Sequence, residues 1–294
     1  MSYKLDGVDI TTYGLVAGVT EGNTALKGCW DLPKRIGDTY YSWGDETGVE
    51  PYVEADDILF GGRDLAFTAV LPFNNFDIYY KLKPFYAQLN AVTGLTEFET
   101  PYGTFNVQIA SVEEQHTHAG GTIKVNMREP SPSLTGGSYP ASGDAAYTMD
   151  GIPLINYGLY ISESDGAYGI GDLKEQNFTK YGSEGFQIVK HNFNELSLNG
   201  AIFASDINGF NAKIKALYLA FSDTGKRLIN KNNEVIVECF LVDGFTVSEV
   251  FVANNLVAAK FSTKLIITSF VEGENLLYED GVEVVTEDGD NITV

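Results

Sequence analysis

The feature that most constrains this chain is an eleven-residue phrase that occurs twice. Leu5-Asp-Gly-Val-Asp-Ile-Thr-Thr-Tyr-Gly-Leu15 returns as Met149-Asp-Gly-Ile-Pro-Leu-Ile-Asn-Tyr-Gly-Leu159, with five identities and the apolar positions kept. A match at a fixed offset marks a domain copied in tandem, provided that later segments correspond as well. They do. Ile78, Leu82, Phe85, Tyr86 and Leu89 fall on one face of an amphipathic helix, and Phe210, Ile214, Leu217, Tyr218 and Phe221 repeat the spacing. Lys81 and Lys83 recur as Lys213 and Lys215. Pro84 is discordant, because a proline inside a helix removes a hydrogen bond, and Ala216 stands at the matching place. The first helix is therefore expected to start late or to bend.

Strands are expected on both sides of each helix. Leu65-Ala-Phe67 matches Leu196-Ser-Leu198 before it. After it, Phe105, Val107 and Ile109 alternate as Val235, Val237 and Cys239 do, the period of a half-buried strand. Ile123, Val125 and Met127 close the first unit, and Phe261, Thr263, Leu265 and Ile267 the second. The fold class read from this is mainly β, a β-rich α+β chain of two tandem barrel-like or sandwich-like domains, each with one flanking helix.

The 294 residues are enough for two cores. Residues 130–146, rich in Pro, Gly and Ser, read as a linker, which places the domains at 1–129 and 147–270. Residues 271–294 carry eight carboxylates and no basic residue, and Tyr278-Glu-Asp-Gly281 is answered by Thr286-Glu-Asp-Gly289, so this tail reads as a small acidic hairpin or as disordered chain. No apolar run approaches the ~20 residues that span a bilayer, and the start of the chain lacks the apolar stretch of a secretory signal. A soluble protein is expected.

Cys29 and Cys239 fall in different units and read as buried thiols rather than a disulfide framework. The net charge of −21 argues against a surface that grips nucleic acid, since affinity for phosphate needs clustered Lys and Arg. An acidic channel wall could still let DNA pass without sticking to it. Plain solubility is the alternative use of that charge. The units differ most at Tyr40-Tyr-Ser-Trp43-Gly-Asp-Glu-Thr-Gly48 and the acidic stretch that follows to Asp57, where the second is shorter. Tyr40, Tyr41 and Trp43 are the candidate interaction residues; that Tyr40 and Trp43 simply fill the first core is equally open.

Chemistry is sparse. His116-Thr-His118 could offer two imidazoles to a metal, but the polar run Glu113 to Gly121 between two strands reads as a turn, so no metal site is expected. His191 is the remaining histidine. Asp223-Thr-Gly225 has the form of an aspartic-protease triplet, yet the first unit offers only Val92-Thr-Gly94 at the matching turn, and Gly225 suits a helix stop. Gly169-Ile-Gly171 lacks the third glycine of a dinucleotide loop, and Gly225-Lys226 lacks the upstream glycine of a phosphate loop. No nucleophile has an activating neighbour, so neither an enzyme nor a cofactor is expected.

The order of the first unit, Asp-Gly with Tyr-Gly-Leu15, then Lys34-Arg35, Tyr41-Ser-Trp43 with Gly48, an acidic stretch, Arg63 leading Leu65-Ala-Phe67, and the amphipathic helix, resembles the N-terminal domain of distal tail and baseplate hub proteins of long-tailed bacteriophages and prophages. The resemblance covers roughly residues 3–128 and more loosely 147–269, where Asn194 stands in place of Arg63. It implies a barrel-like β domain with a helix on its flank, assembling edge to edge into a ring that continues the tail tube. A homo-oligomeric structural component of the virion tail is then expected, assembled in the host bacterial cytoplasm and joining the tube to a hub or spike. Its partners would be itself, the tube and hub or spike proteins, and passing DNA that it does not bind specifically. Three chains with two units each would give a trimer with pseudo-six-fold symmetry; a hexamer is the competing arrangement, and near-equal preservation of the units favours the trimer. A different class is a carbohydrate-binding or adhesion module, for which the 17 tyrosines would supply faces that stack on sugars.

Overall fold

A computed structural model describes residues 2–19, 22–42, 49–51, 53–54, 57–72, 78–117, 120–166, 173–180, 183–191, 194–222, 227–231 and 235–271. In the first half, β1 (Lys4–Leu5) and β2 (Val8–Asp9) form a hairpin, followed by a 3-10 turn over Ile10–Tyr13, β3 (Val16–Ala17) and β4 (Leu26–Lys27). Next come β5 (Tyr40–Ser42), β6 (Val49–Pro51), β7 (Arg63–Leu71), α1 (Ile78–Ala91), β8 (Thr96–Thr100), β9 (Gly103–Thr117) and β10 (Gly120–Glu129). The second half runs β11 (Tyr147–Met149), β12 (Ile152–Pro153), a 3-10 turn over Leu154–Tyr157, β13 (Leu159–Asp165), β14 (Leu173–Lys180), β15 (Ser183–His191) and β16 (Glu195–Ala204). It ends with α2 (Ile207–Ser222), β17 (Arg227–Lys231), β18 (Val235–Ala253) and β19 (Leu256–Val271).

The repeated phrase has a backbone cause. Asp6 and Gly7 take φ of 51° and 74°, and Asp150 and Gly151 take 50° and 74°. Two successive positive φ angles make the tight hairpin turn whose twist matches the strands it joins, and Asp-Gly suits it best. The same turn therefore opens both halves.

Each half builds one large antiparallel sheet, in the order β2-β1-β8-β9-β10-β7-β3 for the first, with β4 also on β7, and β12-β11-β17-β18-β19-β16-β13 for the second. Replacing each strand of the first list by its counterpart in chain order gives the second. The register agrees too: Leu65 faces Met127 as Leu196 faces Leu265, and Phe67 faces Val125 as Leu198 faces Thr263. A mainly β chain with α-helical flanks is what the alternation predicts. Neither sheet closes into a barrel among the described residues.

The inward face of each sheet is the one the alternation marks. Phe105, Val107, Ile123, Val125 and Met127 are buried in the first half, and Val237, Cys239, Phe261, Thr263, Leu265 and Ile267 in the second. In α2, Phe210, Ile214, Leu217, Tyr218 and Phe221 are all buried, at about 1.5–3 kcal/mol for each large side chain removed from water. In α1, Leu82, Phe85 and Leu89 are buried. Pro84 does not delay the start of α1, which runs from Ile78 through the proline. Its missing N–H removes one hydrogen bond of the ladder, and burial of the apolar face supplies the order.

Residues 130–146 hold no helix or strand, but they do not hang free. Asn156 Nδ2 donates to the Ala141 carbonyl at 2.8 Å, and Gly137 lies so close to α2 that a Cβ there would sit 2.2 Å from the Lys215 carbonyl oxygen. Buried side chains of both sheets form one continuous core. Among the described residues no helix is long and apolar enough to cross a membrane. The expected hairpin at 271–294 lies beyond Val271, outside the described residues.

Candidate functional site: the junction of the two sheets

The two large sheets meet within the chain along one junction. It starts at Gly28, with φ of 84° and so near β7 that a Cβ would sit 2.1 Å from the Asp64 carbonyl oxygen. Only glycine fits a left-handed conformation pressed against backbone. The chain leaves β4 at this point and crosses to the second sheet.

There it lines the edge of β18 that β17 leaves uncovered. β17 pairs with β18 only from Val235 to Cys239. Further along, Leu32 and Phe245 exchange both backbone hydrogen bonds, at 3.0 and 3.1 Å, and Arg35 N donates to the Val242 carbonyl at 2.8 Å. Asn23 N donates to the Val250 carbonyl, while the Asn23 side chain accepts from Val252 N and donates to the Val252 carbonyl, the last two both at 2.7 Å. Asp31 Oδ1 accepts from Val247 N at 2.7 Å. An open edge exposes unpaired donors and acceptors and invites association. Here the first half of the same chain closes it.

Behind this edge sits a buried polar knot. Arg63 Nε donates to Glu129 Oε2 at 2.6 Å, with the two residues 7% and 5% exposed. Arg63 Nη1 donates to the Tyr218 hydroxyl of α2 at 2.9 Å and to the Asp31 carbonyl at 3.3 Å, and its guanidinium lies over the Phe105 ring. Trp30 Nε1 donates to Asn211 Oδ1 at 2.8 Å, Asn211 Nδ2 donates to the Tyr102 carbonyl, and the Trp30 ring meets Phe210 edge-on. A cavity of about 270 Å³ remains among Trp30, Arg63, Tyr102, Glu129, Asn211 and Tyr218. Arg35 Nη2 donates to the Phe221 carbonyl, placing a cation on the last turn of α2, the negative end of its dipole.

Burial raises the Asp31 carboxyl to about 6, against the opposing pull of the Val247 amide, Arg63 and Lys27. It also raises the Tyr218 phenol and the Cys29 thiol, in both cases against Arg63. Cys29 and Cys239 are both buried and neither is in a disulfide.

The candidate interaction residues divide. Tyr40 is half-buried in β5, its ring 5.5 Å from Phe240 of the second sheet, and its partner strand β6 puts Val49 into a small cluster with Phe240 and Ile266. Tyr41 is 52% exposed, and Trp43 lies outside the described residues. Thus Tyr40 joins the two halves rather than filling the first core. Of the metal candidates, His116 lies in β9, opposite Gly121, and His118 is outside the described residues. Glu113 to Thr117 are strand rather than turn, because the β9–β10 ladder continues to Thr117 and Gly120. Among the described residues no group of His, Cys, Asp or Glu is arranged to hold a metal. His191 ends β15. Helix α2 is described to Ser222, and the Asp223 triplet, like Gly169-Ile-Gly171, falls outside the described residues.

Residue patterns marked Arg35 and Arg63 as parts of an ordered series and Tyr218 only as part of the apolar helix face, and gave no role to Asn23, Trp30 or Asp31.

No family model matches the chain, and no curated protein does. Among solved structures it is similar to the Dit (gp 19.1) protein of phage SPP1, described as a paradigm of the hub adsorption apparatus in phages that infect Gram-positive hosts. The identity is 10% and the TM-score 0.36, over 92% of this chain and 99% of that one. A likeness this loose carries no inference about the present chain.

Proposed function

We propose that this chain is a non-enzymatic structural component of a phage tail tip, made of a duplicated unit, that assembles with copies of itself into a ring joining the tail tube to a hub or spike. The observation that carries the reading is the junction: the crossing segment of one unit lies on the β18 edge of the next, two different surfaces in head-to-tail contact. Contacts of that kind, repeated from unit to unit, close into rings when the rotation allows. The shared strand order supports units similar enough to alternate around one axis. The resemblance of residues 3–128 to tail-ring domains points the same way. Three chains would then present six units, and the net charge of −21 would line a channel that passes DNA without holding it. Residues 1–129 and 147–270 are the proposed units, with 130–146 between them.

Light scattering and electron microscopy of the purified chain, alone and with tail-tube protein, test the reading. A trimeric ring with a central hole is expected; a monomer at every concentration, with and without tube protein, overturns it. The carbohydrate-binding reading rests on the edge-on pair Tyr160 and Phe203, 48% and 37% exposed on the second sheet. Glycan-array binding by the chain would favour it.

A further inference from the structure

We propose that a cleft on the outer face of the first sheet binds a small zwitterion, its ammonium on Asp31 and its anionic group on Lys124, and that the bound molecule tightens the junction. Small side chains make the floor. Leu65 and Phe67 are buried, so Ala66 between them lies on the outer face, in one rung with Lys27 of β4 and Asn126 of β10. On β9 the ladder slips, since Asn126 faces Ser111 while Met127 faces Ile109, which leaves Ala110 as an extra residue. Bulges of this kind re-aim side chains beside functional sites. The crossing segment leaves β4 at Gly28 and brings Asp31 to the same place. What remains is a cleft of about 620 Å³, lined in part by Lys27, Asp31, Ala66, Ala110, Lys124 and Asn126. Clefts of about 300–1,000 Å³ with an apolar floor and a few convergent polar groups are where small ligands bind.

Charge selects the ligand. The lining holds two lysines, Lys27 and Lys124, and two aspartates, Asp31 and Asp64, so in a chain of net charge −21 this cleft is balanced and suits a molecule that is neutral overall. The four groups are not equivalent. Asp64 is paired with Arg128 at 2.8 Å, its side chain 80% exposed. Asp31 is the carboxyl that burial raises to about 6, although the Val247 amide, Arg63 and Lys27 pull it down. Its other titratable neighbours, Tyr218 and Cys29, are kept protonated by burial. A ligand ammonium adds counter-charge and ionises Asp31. Lys124 meets Glu113 at 3.4 Å on the surface, a contact that exchanges readily for a ligand anion. In the second sheet Ser262, bonded to Asn199, stands where Lys124 does, so that sheet lacks the cation at this place. Asp31 already accepts from Val247 N at 2.7 Å across the junction, and an ionised carboxylate accepts more strongly. Filling the cleft thus tightens the hold of the crossing segment on β18.

Calorimetry on the full chain tests this with aminopropanesulfonate, which keeps both charges from about pH 5 to 8, against propylamine and propanesulfonate, which carry one each. The zwitterion is expected to bind roughly 10-fold or more tightly than either, to release close to one proton at about pH 5 and almost none at about pH 7.5, and to slow amide exchange at Val247. Asp31→Asn should bind it no more tightly than propanesulfonate, without proton release or protection of Val247, and Lys124→Gln no more tightly than propylamine. No binding at millimolar probe, equal affinity for the three probes, or a zwitterion bound without proton release at the lower pH overturns the site. Binding that leaves exchange at Val247 unchanged overturns its hold on the junction. The site lies within one molecule, so it stands or falls independently of ring formation.

Discussion

Replacing Arg63 by methionine keeps the aliphatic volume and removes the guanidinium that ties Glu129, Tyr218 and the Asp31 carbonyl together. Glu129 is then a carboxylate 5% exposed that has lost its ion-pair partner. Breaking a buried pair from one side costs about 3–5 kcal/mol, most of it the desolvated charge left behind, whereas removing both charges together is often near neutral. Arg63→Met is therefore expected to destabilise by about 3–5 kcal/mol, and Arg63→Met with Glu129→Leu to recover most of the loss. Urea unfolding measures both. The emission of Trp30, which lies in the junction against Asn211 and Phe210, should change before far-UV dichroism does, because the junction opens before the sheets unravel. A cost of Arg63→Met below about 1 kcal/mol, or a double variant as unstable as the sum of the two singles, would refute the reasoning.

Asp31 gives a pH dependence. Its folded carboxyl titrates near 6, above the ~3.9 of an unfolded aspartate, so between these values the folded chain holds the extra proton. Its contribution is fully favourable below about pH 4 and is lost as pH rises through about 6, a swing of about 3 kcal/mol. Asp31→Asn should therefore gain about 1–2 kcal/mol over wild type at pH 7.5 and little at pH 4; urea midpoints at both values check this, and a pH-independent difference sinks it. Gly244 has φ of 77°, and a Cβ would sit 1.9 Å from the Leu32 carbonyl oxygen, so Gly244→Ala should cost about 2 kcal/mol or more and speed amide exchange at Leu32 and Phe245. Tyr40→Ala should cost about 1–2 kcal/mol through its Phe240 contact and exposed Tyr41→Ala under about 0.5 kcal/mol, in thermal melts.

Legibility followed period and turn chemistry. Alternation marked Ile123, Val125 and Met127 because one face of their strand meets the core, and the spacing of Phe210, Ile214, Leu217 and Phe221 marked α2 for the same reason. Asp-Gly announced its hairpins since few other pairs accept two positive φ angles. The junction was not legible, because Asp31 and Asn23 act on backbone more than two hundred residues away and leave no local period. Glu113 to Thr117 were misread as a turn for a related reason: an edge strand may be polar on both faces, and pairing with β10, rather than composition, makes it a strand. The expected barrel-like or sandwich-like units are mainly β with a helix, and each half builds one large sheet that does not close on itself among the described residues.

One difference between the halves gives the chain a direction. Asn194 stands where Arg63 does, and its carbonyl accepts from Ile267 N within its own sheet. The knot that Arg63 ties into α2 thus has no counterpart on the far side of the second unit. The contact inside the chain combines edge hydrogen bonds with the buried hydrogen bond from Arg63 to the Tyr218 hydroxyl of α2, whereas a contact made beyond the second unit lacks that arginine. The inner junction should therefore persist at dilutions where the ring has come apart. Amide exchange at Phe245 and Val247 is expected to be independent of protein concentration, even over the range in which the ring dissociates. Exchange at these two amides that slows as concentration rises would mean that the crossing segment itself swaps between molecules, and the order of assembly argued from Arg63 would fail.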